Sequence, residues 1–121
     1  MAAAVTEPRI QWGVYRAVLD PVVGSEQAGS RPVLVVSRES ANRVLPTVTV
    51  VPLTTRRPGR RIYPTEVLLK PDVAGQPNET IALIHQVRTI SVRRLGSRLG
   101  ALDDPELRGQ VRSALRLYLD L

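Results

Sequence analysis

Short β-branched runs, each cut off by proline or by a small polar turn, fill most of this chain, and a helical period emerges only near its end. Runs of that kind read as strands. The first, Val14 to Leu19, stops at Asp20-Pro21, because proline has no N–H to give to a ladder. Gly24 to Ser30 is small and polar and reads as a loop. Pro32 to Ser37 is a continuous apolar run, suited to a strand buried on both faces. Ser40 to Leu45 fits one helical turn before Pro46. Thr47 to Leu53 begins by alternating Thr and Val, and Pro52 marks a bulge or the strand end. Arg56-Arg57-Pro58-Gly59-Arg60-Arg61 is a charged turn. Glu66 to Leu69 reads as another strand, Pro71 to Asn78 as loop, and Thr80 to Val87 as the last long strand.

The period then changes. Leu107, Val111, Leu115 and Tyr118 recur at helical spacing, with Ala114 and Leu119 beside them. Asp104 is a good N-cap, and Pro105 follows at the first helical position, where its missing N–H costs nothing. A helix is expected from Asp104 to Leu119, with Arg108, Arg112 and Arg116 forming a solvated face. Ser91 to Leu95 reads as a shorter helix. The sum is a mainly β protein with helices (α+β): a small, strongly bent antiparallel sheet or barrel whose open side the terminal helix covers. Residues 1–9 have no period and read as a mobile leader, leaving residues 10–121 as a single domain.

Composition removes several chemistries. There is no cysteine, so disulfides, thiolate catalysis and cysteine zinc sites are excluded. His85 is the one histidine, and no His/Asp/Glu cluster has metal-ligand spacing, so neither a metal nor a cofactor is expected. No apolar run approaches the ~20 residues needed to cross a bilayer, and the N-terminus lacks a secretory layout. A soluble cytoplasmic protein is expected. Lys and Arg number 17 against 11 Asp and Glu, a net charge of +6. Only Lys70 is lysine. The excess suits a polyanion such as nucleic acid, or else reflects coding bias and serves solubility. The adjacent carboxylates Asp103 and Asp104 stand at the helix start, where they offset its dipole. No P-loop and no glycine-flanked nucleophile is present.

What remains is a set of polar and basic residues at strand ends. They are Arg31; Thr54, Thr55, Arg56 and Arg57; and His85, Gln86, Arg88 and Thr89. Guanidinium, hydroxyl and amide groups presented together from a rigid sheet suit phosphate and base recognition. Each alone also reads as an ordinary surface residue.

The segment Asp20-Pro21-Val22-Val23-Gly24-Ser25-Glu26-Gln27-Ala28-Gly29-Ser30-Arg31-Pro32 resembles the signature of the MazF/PemK toxins, the endoribonucleases of bacterial toxin–antitoxin pairs. The resemblance continues through Asn42, Pro46, Val51-Pro52-Leu53-Thr54-Thr55, Pro64-Thr65-Glu66-Val67, His85-Gln86-Val87-Arg88-Thr89-Ile90 and Arg94-Leu95. It covers about residues 11 to 121. It implies a small SH3-like barrel of the CcdB/MazF type. It also implies that Arg31 and Thr54 are the catalytic pair, with Thr55 the less favoured equivalent, and that Glu26 joins them. Ser25, Gln27, Gln86 and Arg88 would then line the RNA groove, with Arg56, Arg57 and His85 as further RNA-binding candidates. The chain departs from the family pattern in its opening, where Gln11-Trp12-Gly13 replaces Arg-Gly-Asp or Arg-Gly-Glu. Val18 stands in place of an aspartate, and His85 in place of an acidic residue.

Such an enzyme cuts single-stranded RNA without a metal by using the ribose 2′-OH as nucleophile, which leaves a 2′,3′-cyclic phosphate and a 5′-OH. Arg31 and Thr54 are placed to stabilise the charged phosphorane. Arginine stays protonated, so Glu26 or His85 is left as the general base. The resemblance further implies a homodimer and a cognate acidic antitoxin that covers the basic surface, with no membrane association. Two other readings stand beside it: a CcdB-like toxin that binds DNA gyrase and cuts nothing, and a homologue that binds RNA or antitoxin without cleavage. The ending Tyr118-Leu119-Asp120-Leu121 lacks the Trp-Gly-Ile typical of the gyrase poisons.

Overall fold

The computed structural model describes residues 9–19, 24 and 29–121. Residues 1–8 of the expected leader and most of the loop after Leu19, including Ser25, Glu26 and Gln27, lie outside the described residues. Seven strands form one sheet: β1 (Gly13–Val18), β2 (Ser30–Val35), β3 (Thr47–Thr55), β4 (Glu66–Leu69), β5 (Thr80–Leu83), β6 (Arg88–Ser91) and β7 (Leu95–Ala101). A one-turn helix, α1 (Glu39–Asn42), precedes β3, and α2 (Pro105–Leu119) closes the chain. The strand order is β4-β5-β3-β2-β1-β7, with β6 also paired to β3. The sheet stays open, with β4 and β7 at its edges.

The alternation of side chains along β2 and β3 separates two apolar layers. Leu34, Val51 and Leu53 belong to the larger one, with Trp12, Val14, Leu69, Ile84, Leu102 and the α2 residues Leu107, Val111 and Ala114. Val33, Val35, Val48 and Val50 belong to the other, with Ala17, Leu19 and Ile90. The continuous run Val33-Leu34-Val35 is thus buried on both faces, as its composition requires. Each such side chain contributes roughly 1.5–3 kcal/mol by leaving water.

Helix α2 forms as its period requires. The Asp104 side chain accepts hydrogen bonds from the Glu106 and Leu107 amides at 2.9 and 3.3 Å. The arginines on α2 are not simply solvated. Arg108 and Arg112 lie over the Trp12 ring, 5.3 and 5.1 Å from its centroid, and Arg108 donates to the Leu102 carbonyl at 2.6 Å.

Two segments differ from expectation. Residues 80–87 are not one strand: β5 ends at Leu83, and Ile84–Gln86 make a 3₁₀ turn before β6. Residues 92–94 are the only helical part of the expected short helix, a second 3₁₀ turn, and Leu95 opens β7. Strand β7 reads Leu-Gly-Ser-Arg-Leu-Gly-Ala, with no β-branched residue to announce it. Its pairing with β1, interrupted by register shifts, is what makes it a strand.

Candidate active site

Pro52 organises the site. The β2–β3 ladder ends at the pair Val33–Pro52, where proline has no N–H to extend it. Beyond that pair β2 stays with β1, and β3 turns to β5 on its other side. Arg31 and Thr54 each stand two residues past the pair, on the two strands that part there. Arg31 faces Ala17 across β1 and is half-buried.

On the opposite side of β3 the pairing has a gap. Leu53 pairs with Ala82 of β5, while Val50 pairs with Arg88 of β6. The 3₁₀ turn Ile84–Gln86 fills that interval, anchored by the fully buried Ile84. The Val87 amide closes it by donating to the Ile84 carbonyl at 3.0 Å. His85 and Gln86 thereby reach a cleft of about 350 Å³. Thr54 and Thr55 line it from β3, Ile81 and Leu83 from β5, Glu66 from β4, and Arg57 and Arg60 from the connection between β3 and β4.

The cleft has one internally balanced ion pair. Arg60 grips Glu66 with both terminal nitrogens, at 2.9 and 2.7 Å, and the Tyr63 amide donates to the same carboxylate at 3.0 Å. The Glu66 side chain is only 3% exposed. Hydrogen bonding from Arg60 outweighs burial and, with the Tyr63 amide and the charges of Arg60 and His85, holds the Glu66 carboxyl below its ordinary pKa. The same hydrogen bond raises Arg60. The Arg57 side chain is exposed and has no ion pair among the described residues. The Nδ1 atom of His85 is buried without a hydrogen-bond partner among the described residues.

Five residues singled out from the sequence therefore meet in one cleft: Thr54, Thr55, Arg57, His85 and Gln86. Others are placed differently. Arg56 is occupied in the turn, donating to the Arg60 carbonyl at 3.0 Å and meeting Glu79 at 3.4 Å. Arg88 donates to the Leu19 carbonyl at 2.9 Å. The Leu19 amide in turn donates to the Gly29 carbonyl at 3.0 Å. Arg88 thus fastens the base of the loop that carries Ser25, Glu26 and Gln27, rather than opening toward the cleft. Thr89 pairs its hydroxyl with that of Thr49 across β3 at 2.9 Å. Glu66 and Arg60 were not foreseen as site residues. The signal available for them was a lone carboxylate opening an apolar strand, six residues after an arginine in a turn.

Among the described residues no group of three or more His, Cys, Asp or Glu side chains is arranged to hold a metal ion. The site instead offers fixed cations, hydroxyls, an amide and one imidazole. That set can bind a phosphodiester and move a proton.

A model of the PemK-like, MazF-like toxins of type II toxin–antitoxin systems matches residues 10–119. Endoribonuclease EndoA of Bacillus subtilis (strain 168) is 40% identical over 108 residues, which are 89% of this chain and 91% of that protein. Endoribonuclease MazF of Staphylococcus saprophyticus is 35% identical over 108 residues, 89% of this chain and 88% of its own. A mycobacterial endoribonuclease solved in complex with its cognate antitoxin superposes with a TM-score of 0.76 at 29% identity, covering 95% of this chain and 97% of that one. This chain belongs to the PemK-like, MazF-like toxin family of type II toxin–antitoxin systems.

Proposed function

We propose that this chain is an endoribonuclease that cuts single-stranded RNA at a short sequence without a metal. The observation that carries this reading is the cleft at the end of β3, which gathers Thr54, Thr55, Arg57, His85 and Gln86 in a member of a toxin family whose relatives include named endoribonucleases. In the reaction, the 2′-OH attacks the adjacent phosphorus to give a 2′,3′-cyclic phosphate and a 5′-OH. The chain's task is to align that attack and to stabilise the phosphorane. Arg31, at the fork between β2 and β3, supplies charge-assisted hydrogen bonds to the nonbridging oxygens, and Thr54 adds a neutral donor. Arg57 holds a neighbouring phosphate. Gln86, with donor and acceptor on one amide, reads a base edge. The family resemblance alone adds Glu26, Ser25 and Gln27 to this proposed set.

Its partners in this reading are RNA, a second copy of the chain and a cognate antitoxin with an acidic tail, in the cytoplasm. A net charge of +6 favours both polyanions, RNA and acidic tail, so they compete for one surface. The test is Arg31→Ala, assayed on a structured-loop RNA in excess EDTA. The parent protein cuts under these conditions, and the variant does not, with unfolding midpoint and oligomeric size unchanged. Full activity in the variant, or activity of the parent that returns only with added metal, contradicts the proposal.

A further inference from the structure

We infer that His85 is the proton acceptor of the cleft, taking the proton of the attacking ribose 2′-hydroxyl. The inference rests on the nuclease reading above and deepens it. In the step, the O2′–P bond forms while the P–O5′ bond breaks. The 2′-hydroxyl proton passes to the imidazole, the leaving 5′-oxygen takes a proton from solvent, and the imidazolium returns its own to solvent, which restores the neutral ring. No water or other reactant is consumed.

The inventory of the cleft carries the assignment. Among the described residues its ionisable side chains are Arg57, Arg60, Glu66 and His85. The two arginines stay protonated and accept nothing. Glu66 has both oxygens engaged by Arg60 and one also by the Tyr63 amide, and these contacts stabilise its charged form, which makes it a weak base. Thr54 and Thr55 are weaker still. Histidine is the side chain suited to exchanging a proton near neutral pH. With Nδ1 shut in, the ring exchanges protons with a ligand through Nε2. The 3₁₀ turn that carries it is fixed on both sides, by Ile84 in the core and by the pairing of β6, so the imidazole is presented by rigid backbone.

From β4 comes the Glu66 carboxylate, held by Arg60. Arg57 and Arg60 face the cleft from the β3–β4 connection, the latter neutralised by Glu66. From β3 come only hydroxyls. From α2, Leu107, Val111 and Ala114 share the apolar cluster of Ile84 and bring no charge.

The experiment measures kcat and kcat/KM against pH for the parent, His85→Gln and His85→Glu. Binding is measured separately with an oligonucleotide made uncleavable by 2′-deoxy substitution. The parent rate falls in acid along one ionisation. His85→Gln lowers kcat by about 100-fold or more, removes that limb, and leaves binding of the uncleavable oligonucleotide unchanged. His85→Glu restores cleavage, with the limb displaced toward acid, because a carboxyl is a weaker base than an imidazole. His85→Gln cutting as the parent does overturns this inference alone. So does a loss of binding that accounts for the loss of cleavage, or an acid limb that His85→Glu does not move. A parent that cuts no RNA overturns the nuclease reading and this inference with it.

Discussion

Trp12 sits at φ 68°, in the left-handed region that favours glycine, at the position where the family resemblance places a glycine. The residue is 5% exposed and its ring lies beneath Arg108 and Arg112, so burial and two cation–π contacts offset the backbone cost. Its neighbour Gln11 is bound reciprocally to α1. The Gln11 amide donates to Glu39 Oε1 at 2.8 Å, and the Gln11 side chain accepts from the Glu39 amide at 3.3 Å. The unusual opening of the chain is therefore a fold contact. Trp12→Ala should cost about 3 kcal/mol. Trp12→Gly should cost about 1 kcal/mol less, because glycine accepts the positive φ. Urea unfolding of both variants checks the order. Glu66 gives a second prediction. Its pKa is lowered on folding, so its contribution is fully present above the ordinary carboxyl value and is lost as pH falls through the lowered one. Glu66→Gln should cost about 2 kcal/mol at neutral pH, and the difference between variant and parent should shrink in acid. Thermal midpoints measured from neutral to acid pH check it. These residue-scale facts were legible only in part. His85, Thr54 and Arg57 stood out as strand-end polar residues, but the engagement of Glu66 by Arg60 depends on a turn whose shape no local pattern states.

The elements that were legible are those whose side chains carry their own period. Strand β4 spans Glu66–Leu69 as read, and α2 begins at the cap that Asp104 announces. Asp104→Ala should cost about 1 kcal/mol by freeing the two amides it accepts. Strand β7 was not legible, because its neighbours rather than its composition define it. It runs against the loop after β4 through two glycines: a Cβ on Gly75 would lie 2.2 Å from the Leu99 carbonyl oxygen, and one on Gly100 would lie 2.9 Å from the Gly75 Cα. Gly100→Ala should therefore cost about 2 kcal/mol by overpacking backbone against backbone. Chemical unfolding that leaves this variant as stable as the parent contradicts the packing described. The 3₁₀ turn at Ile84–Gln86 escaped for a related reason. Residues 80–87 are apolar enough for one long strand, and only the switch of β3 between two partners interrupts them.

At the scale of the whole molecule the excess of arginine resolves into different duties. Arg60 balances Glu66, Arg88 donates to the Leu19 carbonyl, Arg108 and Arg112 hold α2 on Trp12, and Arg57 lines the cleft with no ion pair among the described residues. Charge alone left nucleic acid and solubility as equal readings, and the arginine at the cleft is what favours nucleic acid in the proposed function. Arg57→Ala should weaken RNA binding and lower the slope of log K against log salt by about 0.7, the loss of one phosphate contact on a single strand. Filter binding across a salt series measures that slope. The central claim is that the RNA's own 2′-hydroxyl is the nucleophile. Its most direct test is an oligonucleotide with a single 2′-deoxy sugar at the cut nucleotide, compared with the all-RNA strand. The account predicts that the all-RNA strand yields 2′,3′-cyclic phosphate and 5′-OH ends, while the substituted strand is bound and left intact. Cleavage of the substituted strand, or 5′-phosphate ends from either, would contradict it.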